Sequence, residues 1–172
     1  KGKLTKGRYK YATVYIDHYS RQGFVYLQRT LSSAETLESK RAFERYSRQH
    51  GVRIQHYHAD NGRFADNMFR NDVTEKGQTI SYCGVNAHWQ NGIAEKKIRD
   101  LTDQARTILL FSQSRWPGAI STHLWPYALR AANDSLNNSP RLSDKVIPIE
   151  AFTRQKTTMK IRQQHTFGCP VY

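Results

Sequence analysis

The order in which two hydrophobic periods follow one another constrains this chain most. As far as Cys83, apolar residues come in short β-branched and aromatic runs divided by turn residues. After Gly92 they recur at helical spacing. The run 11–16 reads as a strand, and Asp17-His18-Tyr19-Ser20-Arg21-Gln22-Gly23 is turn chemistry. Residues 24–27 read as a second strand, so the pair forms a hairpin with a longer loop. Ser32 or Ser33 can cap a helix over about 34–50 that Gly51 ends, with Leu37, Phe43 and Tyr46 on its inner side. A third strand is expected over 52–58, a short helix over 65–76 closed by Gly77, and a short strand over 80–83. Ile93, Ile98, Leu101, Ala105, Ile108 and Leu109 mark one face of a helix that runs to about Ser112 and breaks at Trp116-Pro117. A last helix spans about 122–137, with Leu124, Ala128, Ala131 and Leu136 as its apolar side, and Pro140 and Pro148 mark loops. Strands that alternate with helices and then give way to helices predict an α/β fold, a mixed sheet flanked by helices.

Two acids sit where that architecture exposes side chains. Asp60 closes the third strand in His58-Ala59-Asp60-Asn61-Gly62. Glu95 opens the long helix in Gln90-Asn91-Gly92-Ile93-Ala94-Glu95. Each has a local explanation: Asp60 can initiate the Asn61-Gly62 turn, and Glu95 can favour the helix dipole. Each can also hold a divalent metal against a phosphodiester. Asp17 lies within the hairpin turn, where Asp is expected for local hydrogen bonding, and only 42 residues separate it from Asp60. It is therefore read as a turn residue. His56 and His58 share a strand face, but no further ligand set accompanies them, so packing or surface roles are expected. His88 has no assigned role.

Charge sharpens the choice. The chain has 27 Lys and Arg against 14 acids, a net +13, which favours nucleic acid or an anionic surface as partner. Lys96, Lys97 and Arg99 adjoin Glu95 and are the expected DNA contacts. Arg41, Arg45 and Arg48 share a helix face and read as solvated. No apolar run approaches membrane-spanning length, so no membrane partner is expected. Cys83 and Cys169 lack metal-ligand spacing, which argues against structural zinc or a disulfide framework.

Taken in order, these motifs resemble the integrase core of copia-type long-terminal-repeat retrotransposons, over nearly the whole chain. Tyr15-Ile16-Asp17-His18-Tyr19-Ser20-Arg21 resembles the family's hairpin. Asp60-Asn61-Gly62 resembles its second catalytic aspartate motif, and the segment ending in Glu95 resembles its catalytic glutamate motif. Leu124-Trp125, Pro148-Ile149-Glu150-Ala151-Phe152 and Phe167-Gly168-Cys169 resemble later landmarks. The resemblance implies a ribonuclease-H-like fold with two aspartates and a glutamate around Mg²⁺ or Mn²⁺. It gives Asp60 and Glu95 catalytic, metal-binding roles and leaves Asp17 without one. The family's first catalytic aspartate lies on a central strand upstream of the hairpin, and no segment here matches it. Residues 1–10 are read as a basic connector, 11–140 as an N-terminally truncated catalytic core and 141–172 as a post-core segment. Both ends read as cuts from a longer polypeptide. The sequence departs from the family at Arg63, where a second Gly and a Glu usually precede the Phe. The 34 residues between Asp60 and Glu95 are one fewer than usual. The family's preceding zinc-binding domain has no match here.

The resemblance further implies a two-metal site in the complete protein, transesterification joining element DNA 3′ ends to target DNA, and a homo-oligomer. It also implies nuclear action with a cytoplasmic virus-like-particle stage. On these terms the fragment alone is expected to be inactive. Two alternatives stay open: a catalytically dead DNA-binding remnant or co-opted host protein, and a ribonuclease-H-type nuclease.

Overall fold

A computed structural model describes residues 5, 7–84, 91–157 and 165–169. Strand β1 (Tyr11–Ile16) pairs antiparallel with β2 (Gly23–Gln28), with Tyr11 opposite Gln28 and Ile16 opposite Gly23. Strand β3 (His56–Ala59) pairs parallel with β4 (Thr79–Tyr82). Among the described residues these are two separate two-stranded sheets, and no ladder joins β1 to β3. The expected single sheet is thus divided where the resemblance puts a central strand. Helix α1 (Ser33–Gln49) lies under both halves. Tyr15 of β1 stacks on Phe43 of α1 and meets Tyr57 of β3 edge-on, with ring centroids 6.4 Å apart.

Local chemistry sets the boundaries. Ser32 caps α1 by accepting from the Glu35 amide, and Gly51 follows the helix at φ 73°, which only glycine adopts freely. The third strand is shorter than its apolar run because pairing with β4 begins only at His56. After β3, a 3₁₀ turn (Arg63–Ala65) leads into α2 (Asn67–Glu75), which Asp66 caps at Met68. Helix α3 (Gly92–Arg115) runs past the expected end at Ser112. Its buried positions are Lys97, Leu101, Ala105 and Ser112, whereas Ile98 is 49% exposed and lies off that face. Helix α4 (Trp125–Asn138) buries Ala128, Ala132, Asn133 and Asn137. Pro148, expected in a loop, instead opens α5 (Pro148–Thr153), where a missing N–H leaves no helical bond unmade.

Two clusters make the core. One joins Val25 and Leu27 of β2 to Leu101, Ala105, Ala128 and Ala132 of α3 and α4. The other gathers Tyr15, Phe43, Tyr57, Phe69 and Val73. Phe167 packs on the first cluster, and its carbonyl accepts from the Ser112 hydroxyl at 2.8 Å. Among the described residues no helix is long and apolar enough to cross a membrane.

Candidate metal centre and basic surface

Asp60 stands just past the end of β3 and is exposed. What holds that end in place is a buried ionic network. The Lys40 side chain is fully buried, and its Nζ reaches Glu44 Oε1 at 2.6 Å, Asp72 Oδ2 at 2.6 Å and Gln78 Oε1 at 2.8 Å. Lys76 bridges the same two acids at 2.8 and 2.9 Å, and Arg41 grips Asp72 Oδ1 with two donors. The Tyr57 hydroxyl donates to Glu44 at 3.0 Å, which ties β3 to α1. Burial pushes Glu44 and Asp72 upward, but the hydrogen bonds from the lysines outweigh it. Glu44 sits at about 2, and Asp72 is held well below the ordinary carboxylate range. Arg41 is therefore a network member, not a freely solvated charge.

The loop after Asp60 is tied to the start of α1 and to β4. The Arg63 guanidinium donates to the Leu31 carbonyl, the Ser33 hydroxyl to Asp66 Oδ2, and the Tyr82 hydroxyl to the Phe64 carbonyl. Arg63, the departure from the family pattern, is thus one of the loop's anchors.

Glu95 lies in the first turn of α3 and is exposed. Among the described residues no hydrogen bond or ion pair engages the carboxylate of Asp60 or Glu95. Asp17 differs: its Oδ2 accepts both the amide and the hydroxyl of Ser20 at 2.7 Å, the turn role expected of it. His56 and His58 line the exposed face of β3, bonded to Thr79 and Ser81, and His58 Nε2 lies 3.5 Å from Cys83 Sγ. Among the described residues no group of three His, Cys, Asp or Glu could hold a metal. Two unengaged carboxylates match the hard-oxygen chemistry that Mg²⁺ and Mn²⁺ require. His88 and Gln90 fall outside the described residues, as do Lys1, Lys3 and Lys6 of the basic connector.

The expected DNA-contact group divides. Lys96 and Arg99 are exposed, but Lys97 is only 7% exposed. Its Nζ lies 3.3 Å from Asn137 Oδ1 and 3.5 Å from the Arg21 carbonyl, and burial pushes it down to about 8 against the pull of Asp100. Asn133 and Asn137, one turn apart on α4, both donate to the Gly23 carbonyl at 3.0 and 2.8 Å. Asn137 also accepts the Gly23 amide at 2.9 Å. A Cβ on Gly23 would fall 2.5 Å from Asn133 Oδ1 and 2.5 Å from Lys97 Cε, so a larger residue would force those side chains to move. Stepping back by four from Ala105 and Leu101 lands on Lys97. That was the available signal that a lysine occupies a core position.

No family profile and no curated protein sequence matches the chain. Solved structures do. The HTLV-2 integrase catalytic core domain, solved with magnesium in a trimeric form, aligns over 88% of this chain and 99% of its own, with 17% identity and a TM-score of 0.60. A simian T-cell lymphotropic virus intasome, solved with PP2A regulatory subunit B56 gamma, aligns over 96% of this chain and 55% of its own, at 18% identity and TM-score 0.67. The catalytic core of BIV integrase aligns over 82% of this chain and 84% of its own, at 19% identity and TM-score 0.58. The two halves of the divided sheet and their helices therefore form the fold of a retroviral integrase catalytic core.

Proposed function

We propose that the chain is the catalytic core of a copia-type retrotransposon integrase, part of a polyprotein, with Asp60 and Glu95 as its metal-holding acids. The observation that carries this reading is a pair of exposed carboxylates, at the end of β3 and the first turn of α3, with no partner among the described residues, set in an integrase-core fold. Asp60 and Glu95 would hold Mg²⁺ or Mn²⁺, two ions in the complete protein. Such ions supply Lewis acidity and lower the proton affinity of an attacking hydroxyl. In the proposed reaction the 3′-hydroxyl of an element DNA end attacks a target phosphodiester. One P–O bond forms and the target's P–O3′ bond breaks. The hydroxyl loses its proton, and the released 3′-oxygen gains one. Lys96 and Arg99, exposed beside Glu95, would hold backbone phosphates without reading sequence. A homo-oligomer, nuclear action and a cytoplasmic particle stage belong to the same proposal; the HTLV-2 core's trimeric and dimeric forms support the first.

A third carboxylate completes the site in this reading. It would come from a strand seated between β1 and β3, which among the described residues pair only with β2 and β4. The 172 residues alone should then bind metal weakly and leave strands unjoined. A chain extended upstream to include an acid-bearing strand should join strands in Mg²⁺ or Mn²⁺, with loss to background in Asp60→Asn and Glu95→Gln. Joining that persists in either variant would overturn the assignment. The divided sheet also favours a second reading, a DNA-binding remnant without catalysis. Duplex binding by an extended chain that never joins strands would select it.

A further inference from the structure

A cleft of about 820 Å³ lies between the β1–β2 turn, the first turns of α3 and the segment from Ser139 to Pro148. Four cations line it: Arg21, Lys96, Lys97 and Arg141. Two acids, Asp100 and Asp144, line it as well. Arg141 and Asp144 satisfy each other through contacts of 2.9 and 2.5 Å. That leaves three cations against Asp100, and among the described residues none of the three forms an ion pair.

Their donors are also under-filled. The Lys97 ammonium has three N–H groups and, among the described residues, meets only two neutral oxygens, both at long range. Arg21 Nη1 is shut from solvent and has no acceptor among the described residues. The Arg21 backbone is held at φ 63°, a conformation a non-glycine residue adopts at a cost, so the turn commits Arg21 to this wall. Exposure falls from Lys96, which is exposed, through half-buried Arg21 to Lys97. Burying unmatched positive charge is unfavourable, and an anion with several acceptor oxygens offsets the penalty.

We propose that this cleft, beside the first turn of α3 that carries Glu95, is a phosphate-binding site built from Arg21, Lys96 and Lys97. The phosphate comes either from a nucleic-acid backbone or from a small phosphorylated anion. Only the first source rests on the function proposed above.

The test uses the whole chain with metal chelated, so that its failure is distinct from failure of the metal centre. Melting is followed in an inorganic phosphate series at constant ionic strength. The expected result is a Tm that rises with the logarithm of phosphate concentration. The rise is lost in Lys97→Met, weakened in Lys96→Gln, and kept in Arg45→Gln, whose guanidinium pairs with Glu38 on α1. Far-UV circular dichroism checks that Lys97→Met folds, and the exposed Lys96→Gln gives a second reading in any case. In the second arm, duplex DNA affinity is measured against salt. A backbone phosphate in the cleft predicts that the log–log slope falls by about 0.9 in each lysine variant. A phosphate-dependent Tm rise without a slope change assigns the cleft to a small anion. A slope change alone assigns it to the polynucleotide. No phosphate-dependent rise and unchanged slopes in both variants would overturn the proposal.

Discussion

Lys97 shows at the residue scale how one position links packing to charge. It occupies the helix face that Leu101 and Ala105 bury, and burial holds it at about 8, below the ordinary lysine value near 10.4. Between those two values the unfolded chain binds a proton that the folded chain does not. Stability therefore rises with pH across that window, by up to ~3 kcal/mol. Lys97→Met should raise Tm at pH 7 in phosphate-free buffer and flatten the rise between pH 8 and 10, as read by denaturant melts. An unchanged pH profile would mean that Lys97 is not buried in its charged form. Gly23 is the complementary case, since a methyl group there collides with Asn133 and Lys97. Gly23→Ala should lower stability by about 1–3 kcal/mol, measured by urea unfolding.

At the element scale, the network around Lys40 fixes the β3–β4 pair to α1 and α2. Removing one partner leaves buried charge, so Lys40→Ala should cost about 3 kcal/mol. Arg41 and Lys76 still hold Asp72, which keeps the loss near the low end of the range for such pairs. Glu44 and Asp72 have depressed folded values, so their contribution is complete above the ordinary carboxylate range. It is lost as pH falls from about 4 towards 2. An acid melt should show that loss, and Glu44→Gln should reduce it. Most of these elements were legible in the sequence because caps and glycines punctuate it: Ser32 and Gly51 bound α1 within a residue or so of expectation. The network was not legible. Nothing local tells a solvated Arg41 from one that grips Asp72 31 residues away. Pro148 was ambiguous in the same way, because a proline that suits a loop also suits the first position of a helix.

For the whole molecule, the net charge of +13 and the integrase-core fold carry different information. Charge predicts duplex binding that weakens steeply as salt rises, and a filter-binding series should show a linear fall of log affinity with log salt. Salt-insensitive binding would contradict a phosphate-led interface. Fold sets the end of β3 and the first turn of α3 in an integrase-core architecture. The positions of Asp60 at a strand end and Glu95 at a helix start were legible, since each follows from local pattern. Whether the two meet was not, because that depends on how two half-sheets settle around α1. The division of the sheet reflects the same fact: four strands were readable, but pairing between β1 and β3 is a property of neighbours.

Mn²⁺ binding tests the central claim most directly. Paramagnetic broadening would be followed in the wild-type chain, in Asp60→Asn and in Glu95→Gln, with circular dichroism confirming the fold of each. A shared centre predicts broadening around both the end of β3 and the first turn of α3. Either substitution alone should weaken affinity at least ~10-fold, since even outer-shell partners of a metal are worth that much. Broadening confined to one acid, or affinity unchanged in either variant, would contradict a metal centre formed by the pair.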